Sequence, residues 1–447
     1  MTIDPLRQIP AAPLPSTIAD GFTFAAAGDL IGPGRPETPL ADPGFEDVCR
    51  IFQQADVAVA NQEGSIFDID TFDGYRAAEN GGGYPLSDPK VAHDIKAMGI
   101  DVVSKANNHA TDWGTKGLLA TGATLAAAGV AYAGSGPSKS AARAPAFVET
   151  PKGRVAVLSA ASTFTPMSEA GDADGGISAR PGISVLRTTP VNLVTESEMS
   201  ILHSMATKLG IGTWLDSRAY GDKECLTIGT EVFRVSDQTR LTYEMNPLDQ
   251  SELLLSIRGA KQVSDFVALA MHAHESETAN TNDRRPADFL VTFYRNAIDA
   301  GADLIATTGP HQVRGIEIYN GKPIFYGLAS LFLELEGGRG PTYDGVQSMG
   351  VDPLAYTKAE FTHARFQLPD DWYDSVIAVS EFVDGKVSAI RLYPIRLQRK
   401  TGFRLQGQPR PAIGEDAQRI LDRLRDDCAH LGADVLIEDG IGVIRCS

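Results

Sequence analysis

The sequence is poor in cysteine and in basic residues. Its four cysteines are far apart and form no Cys-x-x-Cys pair. This argues against a thiol-ligated zinc site and a disulfide framework, and it predicts free thiols. Lysine and arginine number 40 against 57 aspartates and glutamates, a formal net charge of −17. Nucleic-acid binding and docking on an anionic membrane both need a basic surface, so the charge balance argues against either partner.

Long apolar runs are also missing. No stretch approaches the roughly 18 uninterrupted apolar residues of a membrane-spanning helix. The N-terminus does not combine a basic region with an apolar run, so no secretory signal is expected. These absences predict a cytoplasmic protein without a membrane anchor, and they leave its oligomeric state open.

The chain does contain a repeated design, in which an apolar, strand-like segment ends in polar residues. Helical patterns at 88–98, 115–128 and 286–300 alternate with these segments. Such alternation predicts an α/β fold with a largely parallel sheet or sheets covered by helices. Ligands of such sheets bind beyond the carboxyl ends of the strands, where all the polar clusters lie. The strand-like segments are 22–29, 55–63, 99–104, 265–271 and 302–306.

The pattern along the chain predicts several regions. Residues 1–20 are Pro-rich and are expected to form a flexible arm. Residues 21–400 form the main domain. It is interrupted at 164–262 by an insertion, interpreted as a subdomain or lid because polar clusters lie on both sides of it. Residues 401–447 form a C-terminal α/β extension.

The polar clusters supply side chains that suit a divalent metal. Carboxylate, amide and imidazole groups are typical ligands of Mn²⁺, Fe²⁺ and Zn²⁺, and a catalytic site needs several of them with one coordination position open. His272 and His274, two positions apart on an extended segment, share one face, while Glu275 points away. The candidate metal ligands are Asp29, Glu63, Asn108, His272, His274 and His311.

Each candidate also has a simpler explanation. Asp29 after a glycine is typical of a turn, Asn108 of a helix cap, and His311 of an ordinary loop. Five such clusters at strand ends are less expected by chance than any one of them. Together they predict a metal centre.

A proton-transfer group follows the third cluster. His109 comes directly after Asn108, and a histidine at this position could act as a general acid or base. Asp112, three residues later, would orient His109 and fix its tautomer. His274 is a second candidate base.

The clusters resemble, in order, the motifs of CapA-type proteins, the poly-gamma-glutamate capsule synthesis proteins of the metallophosphatase superfamily. The motif segments are Gly28-Asp29, Asn61-x-Glu63, Ala106-Asn107-Asn108-His109-x-x-Asp112, His272-x-His274-Glu275 and Gly309-Pro310-His311. The resemblance covers about residues 22–400 and implies a four-layer α/β/β/α metallophosphoesterase-like sandwich with a metal centre at one edge of its sheets. It also implies the ligand set named above and His109 as the acid/base.

Three positions depart from the family pattern. Ile31 stands where classical metallophosphoesterases have a histidine, a loss that CapA-like proteins share. Thr307-Thr308 replace a usual Gly-His pair, and Leu328-Ala329-Ser330-Leu331 replaces Leu-Gly-Asn-Phe. The first two changes remove potential ligands, so one or two metal ions per chain are expected.

Three functions remain open at this level. The first is a metal-dependent hydrolase of a phosphoester or an amide such as a gamma-glutamyl bond, with His109 protonating the leaving group. The second is a peptide-modifying epimerase that abstracts an α-proton with His109 or His274. The third is a non-catalytic protein that binds an anionic polymer. The expected partner is therefore a small-molecule, peptide or poly-glutamyl substrate.

Overall fold

The computed structural model of the chain is a mixed α/β structure with several sheets. It describes residues 14–32, 43–211, 224–281, 283–334, 343–348, 350–357, 368–399 and 407–446. Most of the predicted arm at 1–20 lies outside the described residues, as does the predicted boundary at 400/401.

Helices alternate with strands through most of the chain. The α-helices are α1 Pro43–Gln53, α2 Lys90–Met98, α3 Gly114–Ala127, α4 Lys139–Arg143, α5 Glu196–Leu209, α6 Pro247–Lys261, α7 Asp288–Ala300, α8 Tyr343–Ser348 and α9 Gly414–Ala429. Single 3₁₀ turns lie at Pro166–Ser168 and Asp370–Tyr373. The helices predicted at 88–98, 115–128 and 286–300 are confirmed as α2, α3 and α7.

The strands have the following bounds. They are β1 Phe22–Ile31, β2 Val57–Glu63, β3 Ser65–Ile66, β4 Leu86–Ser87, β5 Val102–Ser104, β6 Ala131–Ala133, β7 Ser135–Gly136, β8 Ala146–Thr150, β9 Gly153–Ala161, β10 Gly182–Ile183, β11 Thr188–Val194, β12 Cys225–Ile228, β13 Glu231–Val235, β14 Arg240–Met245, β15 Phe266–His272, β16 Leu304–Thr308, β17 Ile316–Tyr319, β18 Lys322–Phe325, β19 Ser330–Leu333, β20 Asp374–Val383, β21 Lys386–Leu397, β22 Pro409–Pro411, β23 Leu436–Glu438 and β24 Ile441–Arg445.

Two large sheets contain the predicted strands. The first has ten strands in the order β23-β24-β21-β20-β1-β2-β5-β6, with β19 beside β1 and β22 beside β21. The second has six, in the order β17-β18-β16-β15-β9-β8. Strands β1, β2 and β5 run parallel to one another, as do β9, β15 and β16. The carboxyl ends of each set therefore lie at one edge of its sheet.

The two large sheets share one apolar core. Residues of β1 alternate between two clusters, because successive side chains of a strand point to opposite faces. Phe22 and Phe24 contact Phe266 of β15, with ring centroids 5.1 and 5.6 Å apart, while Ala25 packs in a cluster that includes residues of α1 and α2. Helices α6 and α7 pack on the six-stranded sheet in a third cluster.

The end of β1 differs from the prediction. The sequence pattern places Asp29 in a loop after the strand, but β1 continues to Ile31. It does so because Leu30 and Ile31 still pair with β19 and β2, with a register irregularity at Asp29. The carboxylate therefore sits in a bulged strand, which fixes its position more firmly than a loop would.

The segment predicted as an insertion contains a sheet of its own. Strands β12-β13-β11-β14 form a four-stranded sheet, and α5 packs on it around Val194, Met199 and Leu226. Helix α6, which the prediction places in the same insertion, instead packs with α7 on the six-stranded sheet. The limits of 164–262 stay a prediction.

Two dipeptides that end in glycine form the turns of β-hairpins. Asn320-Gly321 joins β17 to β18, and Asp384-Gly385 joins β20 to β21. All four residues have positive φ, between 51° and 74°, as a type I′ turn requires. The C-terminal strands β22 and β24 pair with β21 in the ten-stranded sheet.

The four cysteines are free, as predicted. None of the helices in the described ranges has both the length and the apolar character needed to cross a membrane.

Candidate metal centre

Asp29 is held at the carboxyl edge by a close backbone contact. A Cβ atom at Gly28 would come within 2.0 Å of the Ala329 carbonyl oxygen, so only glycine fits there. The Asp29 side chain is fully buried. Its Oδ1 accepts a hydrogen bond from Asn61 Nδ2 at 2.8 Å, and its Oδ2 accepts one from the Gly309 N–H at 3.2 Å.

Asp29 is stabilised in its ionised form. Burial alone would raise the pKa of this carboxyl group, but the nearby His311 and His272 side chains and the Asn61 amide outweigh burial and lower the pKa. The lowered pKa keeps Asp29 ionised, so a negatively charged group is available to bind a cation.

Glu63, the last residue of β2, is also fully buried and lacks hydrogen-bond donors. Neither of its carboxylate oxygens has a partner among the described residues. Oε1 lies 3.9 Å from His109 Nε2 and 3.8 Å from His272 Nε2. Burial, followed by the charge of Asp29, raises the pKa of Glu63 well above its ordinary value. A buried carboxylate without donors needs a counter-charge, which a bound cation supplies.

Two histidines at the end of β15 face each other. His272 Nε2 and His274 Nε2 are 3.1 Å apart. Burial lowers the pKa of His272 to about 4 and that of His274 well below its ordinary value. Both imidazoles are therefore neutral at neutral pH, which is the form that binds a metal. His272 Nδ1 lies 3.2 Å from both Thr308 Oγ1 and Asn61 Nδ2, and these two contacts hold the orientation of the ring.

The loop after β16 brings in the third histidine. Gly309, with φ of 113°, lies so close to the other imidazoles that a Cβ there would be 2.9 Å from His274 Cδ2. His311 itself has a positive φ of 52°. Its Nδ1 lies 3.7 Å from Asp29 Oδ2 and 3.3 Å from Ser330 Oγ. A tight, partly strained loop therefore sets this imidazole against Asp29.

The segment after β5 carries the amide ligand candidate and the proton-transfer pair. Asn108 Nδ2 donates to the Gly81 carbonyl at 2.8 Å, whereas its buried Oδ1 has no partner among the described residues. His109 Nδ1 lies 2.6 Å from Asp112 Oδ2, and Asp112 Oδ1 accepts from the Gly81 N–H at 2.9 Å. Burial raises the pKa of Asp112, although the contact with His109 opposes the shift.

The donor atoms fit a divalent metal site. Two groups of potential ligands share Glu63, and within each group the ligand atoms lie within 4.8 Å of one another. One group adds His272 and His274, and the other adds Asp29 and His311. This mixture of carboxylate oxygen and imidazole nitrogen suits transition metals such as Mn²⁺, Fe²⁺ and Zn²⁺. The unpartnered oxygens of Glu63 and Asn108 are further donors of the same kind.

The sequence motif Asn61-x-Glu63 includes Asn61 but does not predict its role in holding the centre. In the structure its Oδ1 accepts hydrogen bonds from Ser104 Oγ at 2.7 Å and from Asn107 Nδ2 at 3.1 Å, while its Nδ2 donates to Asp29. An amide inside an apolar strand is a signal that could have indicated this role. No comparable signal marks Trp372, whose ring lies 4.6 Å from that of His311.

Comparisons with known proteins place most of the chain in one family. A model of the family described as bacterial capsule synthesis protein PGA_cap matches residues 23–332. That range includes every candidate ligand, whereas Trp372 and α9 lie beyond it.

Individual relatives span different shares of the chain. The protein y4sH of Sinorhizobium fredii, described as uncharacterized, is 37% identical over 444 residues, 96% of this chain and 94% of that protein. A probable polyglutamine synthesis accessory protein of Mycobacterium tuberculosis is 26% identical over 246 residues, 54% of this chain and 48% of that protein. The PGA biosynthesis protein CapA of Bacillus subtilis is 33% identical over 88 residues, 20% and 22% of the respective chains.

Proposed function

The chain belongs to the bacterial capsule synthesis protein family PGA_cap, and we propose that it is a metal-dependent enzyme with hydrolase-type chemistry. The scissile bond is a phosphoester, or an amide of the gamma-glutamyl or peptide kind. The family is linked to capsule and poly-gamma-glutamate synthesis, and relatives carry the names polyglutamine synthesis accessory protein and PGA biosynthesis protein. The shared core between the two large sheets supports a four-layer α/β/β/α arrangement.

One observation carries the proposal. Two fully buried carboxylates, Asp29 and Glu63, lie beside neutral imidazoles, and both oxygens of Glu63 lack a donor among the described residues. An arrangement made only for stability would pair these charges, because an uncompensated buried carboxylate is costly. The residues that would hold the metal are Asp29, Glu63, Asn108, His272, His274 and His311.

A bound divalent metal would polarise the substrate oxygen and lower the pKa of water at the centre. Side chains of the protein then supply the proton for the leaving group. Asp112 Oδ2 accepts a hydrogen bond from His109 Nδ1 at 2.6 Å, and His109 Nε2 is then directed towards Glu63, 3.9 Å from its Oε1. From there His109 Nε2 gives a proton to the leaving group, and Asp112 stabilises the imidazolium before that transfer.

The test is turnover by the metal-reconstituted protein. Candidate substrates are p-nitrophenyl phosphate esters and gamma-glutamyl oligomers, assayed with and without a chelator. We expect hydrolysis of at least one class that the chelator abolishes and that His109→Ala removes. A metal-loaded protein that leaves both classes intact but exchanges a peptide α-proton for deuterium in D₂O would contradict hydrolysis and favour the epimerase alternative.

A further inference from the structure

Arg314 is a fully buried arginine close to the centre. It lies three residues after His311, and its side chain is 0% exposed. Within the described part of the chain, it forms hydrogen bonds to main-chain carbonyl groups and no ion pair. Nε donates to Asp283 O at 2.8 Å and Nη1 to Glu275 O at 3.0 Å. Nη2 donates to His274 O at 3.1 Å and to Thr281 O at 3.3 Å.

Burying the guanidinium group of Arg314 has a large desolvation cost. Burial lowers the pKa of Arg314 to about 10, so the guanidinium stays charged at neutral pH inside the protein. A buried cation is tolerated only when its donors are satisfied, and here carbonyl oxygens do this. The planar fork of guanidinium reaches several acceptors at fixed angles, which the single ammonium group of lysine does not. The loop that supplies the carbonyls is therefore built around this side chain.

That loop begins with a candidate metal ligand. His274 is the second residue after β15, and both of its main-chain polar groups are held. Its N–H donates to Thr163 Oγ1 at 2.9 Å, and its carbonyl accepts from Arg314. With the backbone fixed on both sides, the imidazole has little freedom to leave its place 3.1 Å from His272 Nε2.

We propose that Arg314 is a positioning residue of the metal centre, which holds residues 273–281 and Asp283 so that His274 keeps its place as a ligand. This inference rests on the proposed function, because it concerns the same metal site. The hydrogen bonds of Arg314 in the described structure all go to main-chain carbonyl groups. Arg314 acts through the backbone of His274, as groups behind the first ligands do in metal sites generally.

The chain offers a control arginine directly after these residues. Arg284 donates to Asp427 of α9, with 2.7 Å between Nη2 and Oδ1, and to the Arg423 carbonyl at 3.0 Å. It ties the outer part of the loop to α9 and makes no contact with His274 in the described structure. Arg284→Lys therefore perturbs the loop's anchorage without touching the ligand.

The experiment compares Arg314→Lys with Arg284→Lys in the full chain. Zn²⁺ affinity is measured by competition with a chromophoric chelator, the Co²⁺ complex by its visible absorption, and the stability of the metal-free protein by thermal unfolding. We expect Arg314→Lys to weaken Zn²⁺ binding by about 10- to 100-fold and to alter the Co²⁺ spectrum. Arg284→Lys should leave affinity within about twofold, since it is remote from the ligands.

A double-mutant cycle shows whether the effect passes through His274. When His274 is already alanine, Arg314→Lys should not weaken Zn²⁺ binding further, because the positioned ligand is gone. Equal losses in the presence and absence of His274 would overturn the inference.

Other outcomes are equally decisive. If Arg314→Lys melts at a lower temperature but keeps wild-type affinity and spectrum, Arg314 has a purely structural role and the inference is wrong. If Arg314→Lys does not fold, Zn²⁺ affinity is measured for Thr163→Val instead. This variant removes the hydrogen bond from the His274 N–H, which is the other contact that holds the His274 backbone. Unchanged Zn²⁺ affinity in that variant overturns the inference. A wild-type protein that binds no metal contradicts the proposed function itself.

Discussion

Buried carboxylates lie at both edges of the parallel strands, but they have hydrogen-bond and charge partners at one edge and lack them at the other. At the amino edge, just before β16, Asp303 is 1% exposed and fully paired. Lys261 Nζ lies 2.6 Å and Lys322 Nζ 2.5 Å from its oxygens, and the Val267 N–H donates at 2.9 Å. At the carboxyl edge, Glu63 is equally buried, but its oxygens have no donor among the described residues.

The difference separates a structural ion cluster from a ligand site. Asp303 shows that this fold satisfies a buried carboxylate with lysines where only stability is at issue. The carboxyl edge instead offers His272 and His274, whose lowered pKa values keep them neutral and unable to compensate charge. On the proposed function, a cation from solution supplies the missing charge at this edge. The two edges should therefore respond in opposite ways to mutation.

The largest expected effect is on turnover, at the carboxyl edge. His109→Ala should lower kcat by about 10²- to 10⁴-fold, because general acid–base catalysis contributes that much. Its metal content should equal that of the wild type, measured by elemental analysis on the same preparation. His93→Ala, an exposed histidine on α2, serves as the control and should have wild-type activity. Wild-type kcat in His109→Ala would show that the proton-transfer assignment is wrong.

The next largest effect is on stability, at the amino edge. Asp303→Asn leaves the buried Lys261 ammonium without its counter-charge and should destabilise the fold by about 3–5 kcal/mol. Urea unfolding measures this loss. Metal affinity should not change. A loss of metal in this variant would mean that the two edges are not independent.

Glu63→Gln should change the free energy of unfolding of the metal-free protein in the opposite direction to Asp303→Asn, so that the variant is more stable than the wild type. The folded-state pKa of Glu63 is raised, so the ionised group destabilises the fold above the ordinary glutamate pKa of about 4.3. The neutral amide should therefore make the metal-free protein more stable than the wild type at pH 7. The gain should shrink as the pH falls toward 4, where glutamate is protonated in both states.

Urea unfolding of chelator-treated protein at several pH values measures this gain. Reconstituted Glu63→Gln should at the same time bind metal more weakly than the wild type. A destabilised metal-free variant would contradict the view that Glu63 is uncompensated.

The smallest expected effect is on metal affinity, and it separates two adjacent residues of β16. Thr308 Oγ1 contacts His272 Nδ1, whereas Thr307 Oγ1 donates to Tyr294 on the opposite face, at 2.9 Å. Thr308→Val should weaken metal binding by about tenfold, as the loss of a group behind a ligand does. Thr307→Val should cost about 1 kcal/mol of stability and leave metal binding unchanged. Calorimetric titration with Zn²⁺ separates the two, and equal affinities would remove the role given to Thr308.

The sequence predicted the α/β class, the strand-end clusters and the family, because these depend on local patterns. An apolar run followed by polar residues identifies β2 and β15 without knowledge of their neighbours, and His272-x-His274 is legible from strand periodicity alone. What local patterns do not encode is pairing across the chain. The bulge at Asp29 depends on β19, some 300 residues later, and is therefore invisible in the sequence.

The residues behind the ligands escaped prediction for the same reason. Arg314 is unremarkable in sequence, and its role follows from carbonyl groups of a loop more than 30 residues earlier. Trp372 reaches His311 from beyond the family-matched range. The candidate ligands could thus be named from sequence, whereas the residues that position them could be recognised only in the fold.

Elemental analysis of the purified and reconstituted protein tests the central claim most directly. Wild type, Asp29→Ala, His272→Ala and the amino-edge control Asp303→Asn are compared at equal protein concentration. We predict one or two equivalents of a transition metal in the wild type and in Asp303→Asn, and a loss in the two carboxyl-edge variants. A wild-type protein that takes up no Mn²⁺, Fe²⁺ or Zn²⁺ under any reconstitution condition would contradict the metal centre and the chemistry proposed for it.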